Sequence, residues 1–268
     1  MLNRTRDALA LLTGIFVFYT AATGPFESLI QRAVFLALVV CLGLAVYPLG
    51  HGRRWRPLGL AVDLAAAGIS IAACSYIVVN YDRIMTTLPW ATTLDMALTV
   101  GLVASVLEIG RRAVGIIFPA LVLVGLAYAL FGDMLPGTLA HRGFDGAFVT
   151  ETIFLGDLGI WGMLTGVAAT VIAAFVLFGS LLLHTGGGQS FMDLAMRIGG
   201  RQAGGAAKIA TIASGLFGMI SGSAVANVAT TGNFTIPMMK RLGYPPAFAA
   251  AVEAVASTGG QLAPPIMG

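Results

Sequence analysis

A chain of 268 residues in which 57% are hydrophobic and only 10% are charged lacks the polar surface that water demands, since a soluble domain carries about 25% charged residues. Fifteen Lys and Arg against twelve Asp and Glu leave a net charge of only +3, and the basic residues fall in short clusters between apolar runs, a pattern that excludes nucleic-acid binding as a default. The two cysteines, Cys41 and Cys74, both sit inside apolar runs, where a thiol acts as a small hydrophobe and suggests neither a disulfide framework nor a metal site.

In chain order, apolar runs cover 8–22, 33–49, 58–79 with Asp63 inside, 84–107 interrupted by Asp95, 113–131 and 158–183. The membrane part of the fourth run is expected to start near Pro89 or Met96. A spanning helix needs about 17 to 25 mostly apolar residues, so these runs predict six spans by residue 183. The runs are continuously apolar rather than alternating, which predicts helices and not a barrel. The first run follows Arg4 and Arg6 and ends in small residues, which is also how a cleaved secretory signal looks; an uncleaved first span is the expectation.

Orientation follows from the basic residues. Arg4, Arg6, Arg53, Arg54, Arg56, Arg111, Arg112, Arg197, Arg201 and Lys208 fall on one side of the six spans, and only Arg32, Arg83 and Arg142 on the other. The positive-inside rule therefore places the N-terminus and the region after 184 in the cytoplasm. The loop 132–157, rich in glycine and acidic with Asp133, Asp145, Glu151 and Asp157, faces outward and forms the clearest internal boundary. Beyond the sixth span, 191–198 reads as a short amphipathic helix at the cytoplasmic surface, bracketed by Gly186-Gly187-Gly188 and Gly199-Gly200.

The stretch 209–239 holds 31 residues without a charge. One straight helix of that length would be about 46 Å long, too long for a core of about 30 Å, whereas two full spans with a turn need about 40 residues. A re-entrant hairpin fits, with Lys208 at one foot, Lys240-Arg241 at the other and a tip running from Ser221 through Gly222 and Ser223 to Asn227. Such a tip near mid-membrane would set helix C-terminal carbonyls, which attract a cation, beside N-terminal amides, which attract a carboxylate. Pro245-Pro246 then opens a run that breaks at Ser257-Thr258-Gly259-Gly260-Gln261 and Pro264-Pro265 before Ile266 and Met267 resume apolar character, the pattern of a discontinuous spanning helix.

The strings Ser214-Gly-Leu-Phe-Gly-Met-Ile-Ser-Gly-Ser-Ala-Val-Ala-Asn-Val-Ala-Thr-Thr-Gly232, Thr235-Ile-Pro-Met-Met-Lys-Arg-Leu-Gly-Tyr244 and Val252-Glu-Ala-Val-Ala-Ser-Thr-Gly-Gly-Gln-Leu-Ala-Pro-Pro-Ile-Met-Gly268 resemble the fused permease of tripartite ATP-independent periplasmic (TRAP) transporters. The similarity is closest to the branch that works with TAXI-type binding proteins, in which the four-helix and twelve-helix subunits form one polypeptide. It extends more weakly over 31–143, including Tyr128-Ala-Leu-Phe-Gly132, Leu135-Pro-Gly137 and His141-Arg-Gly-Phe144.

The resemblance implies an all-α polytopic membrane protein of the elevator type, carrying only the first of two inverted repeats. It divides the chain into scaffold helices (1–131), a periplasmic connector (132–157) and the start of a transport domain (158–268). It further implies cation-coupled symport, with sodium as the ion and no cofactor, of a small carboxylate delivered by a TAXI-type periplasmic binding protein across a bacterial or archaeal inner membrane. The implied cation and substrate site comprises Ser221, Gly222, Ser223, Asn227, Ser257, Thr258, Gly259, Gly260 and Gln261, with Glu253 as an intramembrane carboxylate that serves either function or a buried structural hydrogen bond. Because such permeases continue into a second hairpin and this sequence stops at Gly268, the competing reading is a truncated, non-transporting scaffold or remnant.

Other residues carry plainer expectations. Asp63 is placed to pair with Arg53, Arg54 and Arg56 near the interface. Gly215, Gly218 and Gly222 permit close helix packing. Ser180 and His184 share a helix face but have no third group or oxyanion donors, and the three scattered histidines make no metal site, so the chain is not expected to be an enzyme.

Overall fold

The computed structural model describes residues 2–49, 56–87, 90–200, 204–221 and 224–263. Every regular element among them is helical, as expected of an all-α polytopic membrane protein. The chain divides into two units, Met1–Thr170 and Val171–Gly268.

The first unit contains α1 (Leu2–Thr23), α2 (Ser28–Val46), α3 (Arg56–Val79), the short α4 (Tyr81–Thr86), α5 (Thr93–Ala113), α6 (Ile117–Phe131), α7 (Gly146–Thr150) and α8 (Met163–Val167). Five segments are long and apolar enough to cross a membrane: Ser28–Val46, Pro57–Val79, Thr93–Ala113, Ile117–Met134 and Met163–Leu182. Of the six runs in the sequence, the first forms a continuous helix but carries Arg4, Arg6 and Asp7 in its opening turns and does not join these five. The fourth run is split. Asp95 does not interrupt a helix but begins one: in a capping box at the start of α5 the Thr92 hydroxyl accepts the Asp95 amide, and the Asp95 carboxylate accepts the Thr92 amide at 2.9 Å.

Helices α2, α3 and α5 pack on one another through Leu29, Ala33, Ala73, Cys74, Ile77 and Leu102, with Phe154 and Trp161 filling one end. The small side chains at 33, 73 and 74 let the backbones approach, which is how helices gain packing energy where lipid removes the hydrophobic driving force. By contrast α6 leaves Leu121, Val122, Leu123 and Val124 exposed in succession, as befits a span facing lipid on most sides. A π-helical turn, Ala168–Ile172, follows α8. Gln31, almost fully buried on α2, donates to the Ala169 carbonyl of that turn at 3.0 Å, supplying a donor at a place where the helical ladder changes step.

Asp63 is paired differently from the sequence expectation. Its partner is Arg112 on α5, at 2.6 Å, with side chains only 10% and 6% exposed; Arg53, Arg54 and the Arg56 side chain lie outside the described residues. Arg112 also reaches Glu108 at 2.8 Å and the Tyr47 carbonyl at 3.0 Å, while Asp63 accepts the Leu49 amide at 2.9 Å. One guanidinium thus ties the ends of α2 and α5 to α3. Asp63→Asn keeps the shape and the Leu49 bond but loses the charge, so thermal melting of the purified chain in detergent should register a loss of about 1 to 2 kcal/mol.

The motif at 128–144 also has a structural basis. His141 accepts the Gly143 amide on Nδ1 at 3.0 Å, so the tautomer with a proton on Nε2 donates to the Tyr128 carbonyl at 2.9 Å. The ring lies where a side chain on Gly132 would stand, a Cβ there meeting His141 Nε2 at 1.8 Å. Tyr128, Gly132 and His141 therefore form one lock that closes the C-terminus of α6.

The second unit holds α9 (Ala173–His184), α10 (Gly187–Gly199), α11 (Gly205–Ser221), α12 (Ala224–Arg241) and α13 (Pro246–Gly260). The amphipathic helix expected at 191–198 is α10; it starts earlier, after Gly186 in the left-handed region at φ +90°, and turns Met192 and Ala195 inward against Ile209 and Ala213 of α11. His184 binds the backbone carbonyl of Ser180 at 2.7 Å, an ordinary contact within one helical turn, and not the Ser180 hydroxyl.

Candidate functional site

Only residues 222 and 223 separate α11 from α12, and the two helices fold back on each other. Ala206 and Ala210 of α11 cluster with Met239 near the far end of α12, while Ser214 faces Thr231, as an antiparallel hairpin requires. Helix α12 is described from Ala224 onward. Asn227 is therefore not at the tip, as the sequence suggested, but fully buried in the first turn of α12. Gly222, Ser223 and the side chain of Ser221 lie outside the described residues.

Helix α13 packs on both arms of the hairpin. It runs unbroken through Ser257, Thr258 and Gly259 to Gly260, so the interruption expected at Ser257 begins only at Gln261; the resumed apolar segment at Ile266 and Met267 lies outside the described residues. Each of the three helices presents a polar stripe at helical spacing. These stripes are Ser214 and Gly218 on α11, Asn227, Thr231 and Thr235 on α12, and Glu253, Ser257 and Gly260 on α13. Residues three and four apart share a helix face, so the stripes converge on one line.

Glu253 is the centre of this line and has no exposed surface. Thr231 donates to its Oε1 and Thr235 to its Oε2. Ser257 adds a bond to Oε1 at 3.0 Å and Ser214 one at 3.4 Å, and the two serine hydroxyls lie 3.3 Å apart. No salt bridge to Glu253 occurs among the described residues. Burying a carboxyl group without hydrogen bonds would cost several kcal/mol, so these hydroxyls are what makes the position tenable. Asn227 donates from Nδ2 to the Ser214 carbonyl at 2.8 Å and to the Ser257 carbonyl at 3.5 Å. Its Oδ1 is buried without a partner among the described residues.

Glycine sets the spacing. A Cβ on Gly218 would meet the Gly260 carbonyl oxygen at 2.1 Å, and one on Gly260 would meet the Ser214 carbonyl oxygen at 2.4 Å, so α11 and α13 touch backbone to backbone. Gly215, expected to serve the same purpose, faces open space instead.

Of the residues proposed from the sequence, Asn227, Glu253, Ser257 and Gly260 come together. Thr258 and Gly259 lie on the exposed face of α13, the Thr258 hydroxyl bonding to Ala254 O at 2.8 Å, and Gln261 is half-buried just past the helix end. Ser214, Thr231 and Thr235 were not singled out. The four-residue spacing of Asn227, Thr231 and Thr235 in an otherwise uncharged run was the signal that could have revealed two of them.

Residues 101–268 match the family described as "Tripartite ATP-independent periplasmic transporter, DctM component". Among curated relatives, the "Uncharacterized protein YgiK" of Salmonella typhimurium is 36% identical over 38% of this chain and 23% of its own length. The "C4-dicarboxylate TRAP transporter large permease protein DctM" of Pseudomonas aeruginosa is 39% identical over 35% of this chain and 22% of its own. The protein of the same name in Vibrio cholerae is 31% identical over 60% of this chain and 32% of its own. The matches thus span about a quarter to a third of these relatives. No solved structure matches the chain.

Proposed function

We propose, given that this chain belongs to the DctM-component family of tripartite ATP-independent periplasmic transporters, that it works in secondary active uptake of an organic acid coupled to a cation gradient. The ion in this reading is sodium, and the substrate is a small carboxylate handed over by a TAXI-type periplasmic binding protein. The membrane is the inner membrane of a bacterium or archaeon, with the N-terminus in the cytoplasm. Helices before residue 132 act as scaffold, and the hairpin with α13 belongs to the moving part.

The observation that supports this most is a meeting of helix ends. Gly218, in the last turn of α11, lies against Gly260, the last residue of α13, and Asn227, in the first turn of α12, bonds to the Ser257 carbonyl. Two helix C-termini and one helix N-terminus are thereby gathered in one place. The C-terminal carbonyls suit a hard cation without burying more charge, and the N-terminal amides suit a carboxylate. Asn227 and Gln261, with Ser221 and Ser223 beside them in the sequence, are the polar side chains nearest in sequence to those ends.

The test is uptake of a labelled dicarboxylate by cells expressing the complete permease and its binding protein, with sodium replaced by choline. Uptake should fall with sodium removal, and Asn227→Ala and Gln261→Ala should each lower it about tenfold at equal expression, equivalent to about 1.4 kcal/mol. Undiminished uptake in both variants, with an unchanged ion response, would place the site elsewhere.

A further inference from the structure

We propose that Arg32 and Asp157 in the first unit bind the zwitterionic headgroup of phosphatidylethanolamine, Arg32 taking the phosphate and Asp157 the ammonium. Both residues line one cavity of about 630 Å³ where α2 and α8 begin. Ser28 and Met163 open two of the segments long and apolar enough to cross a membrane, so the cavity lies where such spans enter the bilayer, at headgroup depth. Arg32 stands one helical turn past Ser28, close enough for its long side chain to keep its charge among headgroups.

The argument turns on two charges that share a cavity without pairing. Arg32 and Asp157 form no ion pair among the described residues, whereas Arg112 and Asp63, also within spans, bind each other directly. A guanidinium carries five N–H donors, and among the described residues that of Arg32 makes a hydrogen bond to the Trp161 carbonyl from Nη1. Gly166 lets it lie against the backbone of α8, since a Cβ there would stand 2.8 Å from Nε and 2.9 Å from Nη2. An arginine in a span without a carboxylate is costly, and a phosphate group, with several oxygens for planar N–H donors, is its complement. The walls favour a lipid over free phosphate. Phe26, Leu158 and Met163 line the same cavity and are 45%, 83% and 79% exposed, apolar surface that an acyl chain covers and an inorganic anion does not. Asp157 then selects the headgroup. An anionic lipid would bring like charge to its carboxylate, whereas the ammonium of ethanolamine brings opposite charge. Lipid retention needs neither transport nor a binding protein, so it stands or falls apart from the uptake reading.

Native mass spectrometry of the purified chain, incubated in detergent with phosphatidylethanolamine or phosphatidylglycerol of identical acyl chains, is the test. At equal lipid concentration the chain should retain phosphatidylethanolamine in preference. Arg32→Gln should lower that retention about tenfold, the loss of one charge-assisted contact. Asp157→Asn, placed in an exposed turn, covers the case in which Arg32→Gln does not fold; it should abolish the preference by admitting phosphatidylglycerol equally well. Inorganic phosphate and glycerophosphoethanolamine, which is the headgroup without chains, should not compete at the concentration of the lipid. Competition by either would make this a site for free phosphate and overturn the lipid. Equal retention of the two lipids by the unaltered chain, a preference that survives Asp157→Asn, or undiminished retention in folded Arg32→Gln would likewise overturn the proposal.

Discussion

Replacing Gly218 or Gly260 by alanine is expected to destabilise the second unit by about 3 kcal/mol or more, at or beyond the upper end of what overpacking costs. One methyl group is a small change, but here it points at backbone. At Gly218 it would stand 2.1 Å from the Gly260 carbonyl oxygen, and at Gly260 it would stand 2.4 Å from the Ser214 carbonyl oxygen and 2.8 Å from Asn227 Nδ2. No rotamer change relieves a clash with a carbonyl oxygen, so the helices must separate. Separation also pulls Asn227 from the Ser214 carbonyl, which it now reaches at 2.8 Å. The neighbouring glycines provide the controls. A Cβ on Gly215 or Gly259 meets nothing within 4 Å, and alanine in a helix interior is favoured over glycine by about 0.5 to 1 kcal/mol. Thermal melting of the four purified variants in detergent should therefore split them into two losses and two neutral or slightly positive changes. Equal effects at 215 and 218 would show that the helices do not touch as described.

These four glycines also mark how far a sequence can be read. Spans are legible because charge is expensive in lipid, so uncharged runs bounded by Arg and Lys already locate α2, α3, α5 and α6. The hairpin is legible for the same reason, from the length of 209–239 between its basic feet. Which glycine makes the close contact is not legible, because Gly215 and Gly218 differ only in the direction they face across to α13, a tertiary fact. The same holds for Asp63. Three arginines close in sequence were the obvious partners, yet Arg112 on α5 reaches it once α3 and α5 pack side by side. At Ser257-Thr258-Gly259-Gly260 the local signal pointed to a break, since two glycines and two β-hydroxyl residues disfavour helix. Packing against both hairpin arms overrides that preference and holds α13 helical to Gly260. The small residues that looked like a break are what allow the approach.

The carboxyl cage gives the other large effect, and its asymmetry makes it specific. Among the described residues, Oε1 of Glu253 is met by three hydroxyls, those of Thr231, Ser214 and Ser257, whereas Oε2 is met by Thr235 alone. Thr235→Val preserves volume and branching but leaves Oε2 buried without its one partner. That should cost about 3 kcal/mol, near the upper range for stranding a buried polar atom. The cost does not depend on the charge state, because a proton on Oε2 would equally lack its acceptor. Thr231→Val removes one hydroxyl of three at Oε1, where Ser257 at 3.0 Å and Ser214 at 3.4 Å remain, and should cost about 1 kcal/mol. Thr235→Ser returns the hydroxyl and should recover most of the loss, which separates the hydrogen bond from the packing of the methyl group. Melting the three variants in detergent decides the matter. Similar losses in Thr231→Val and Thr235→Val, or no recovery with serine, would mean that Glu253 is held by its helix packing and not by this division of hydroxyls between its two oxygens.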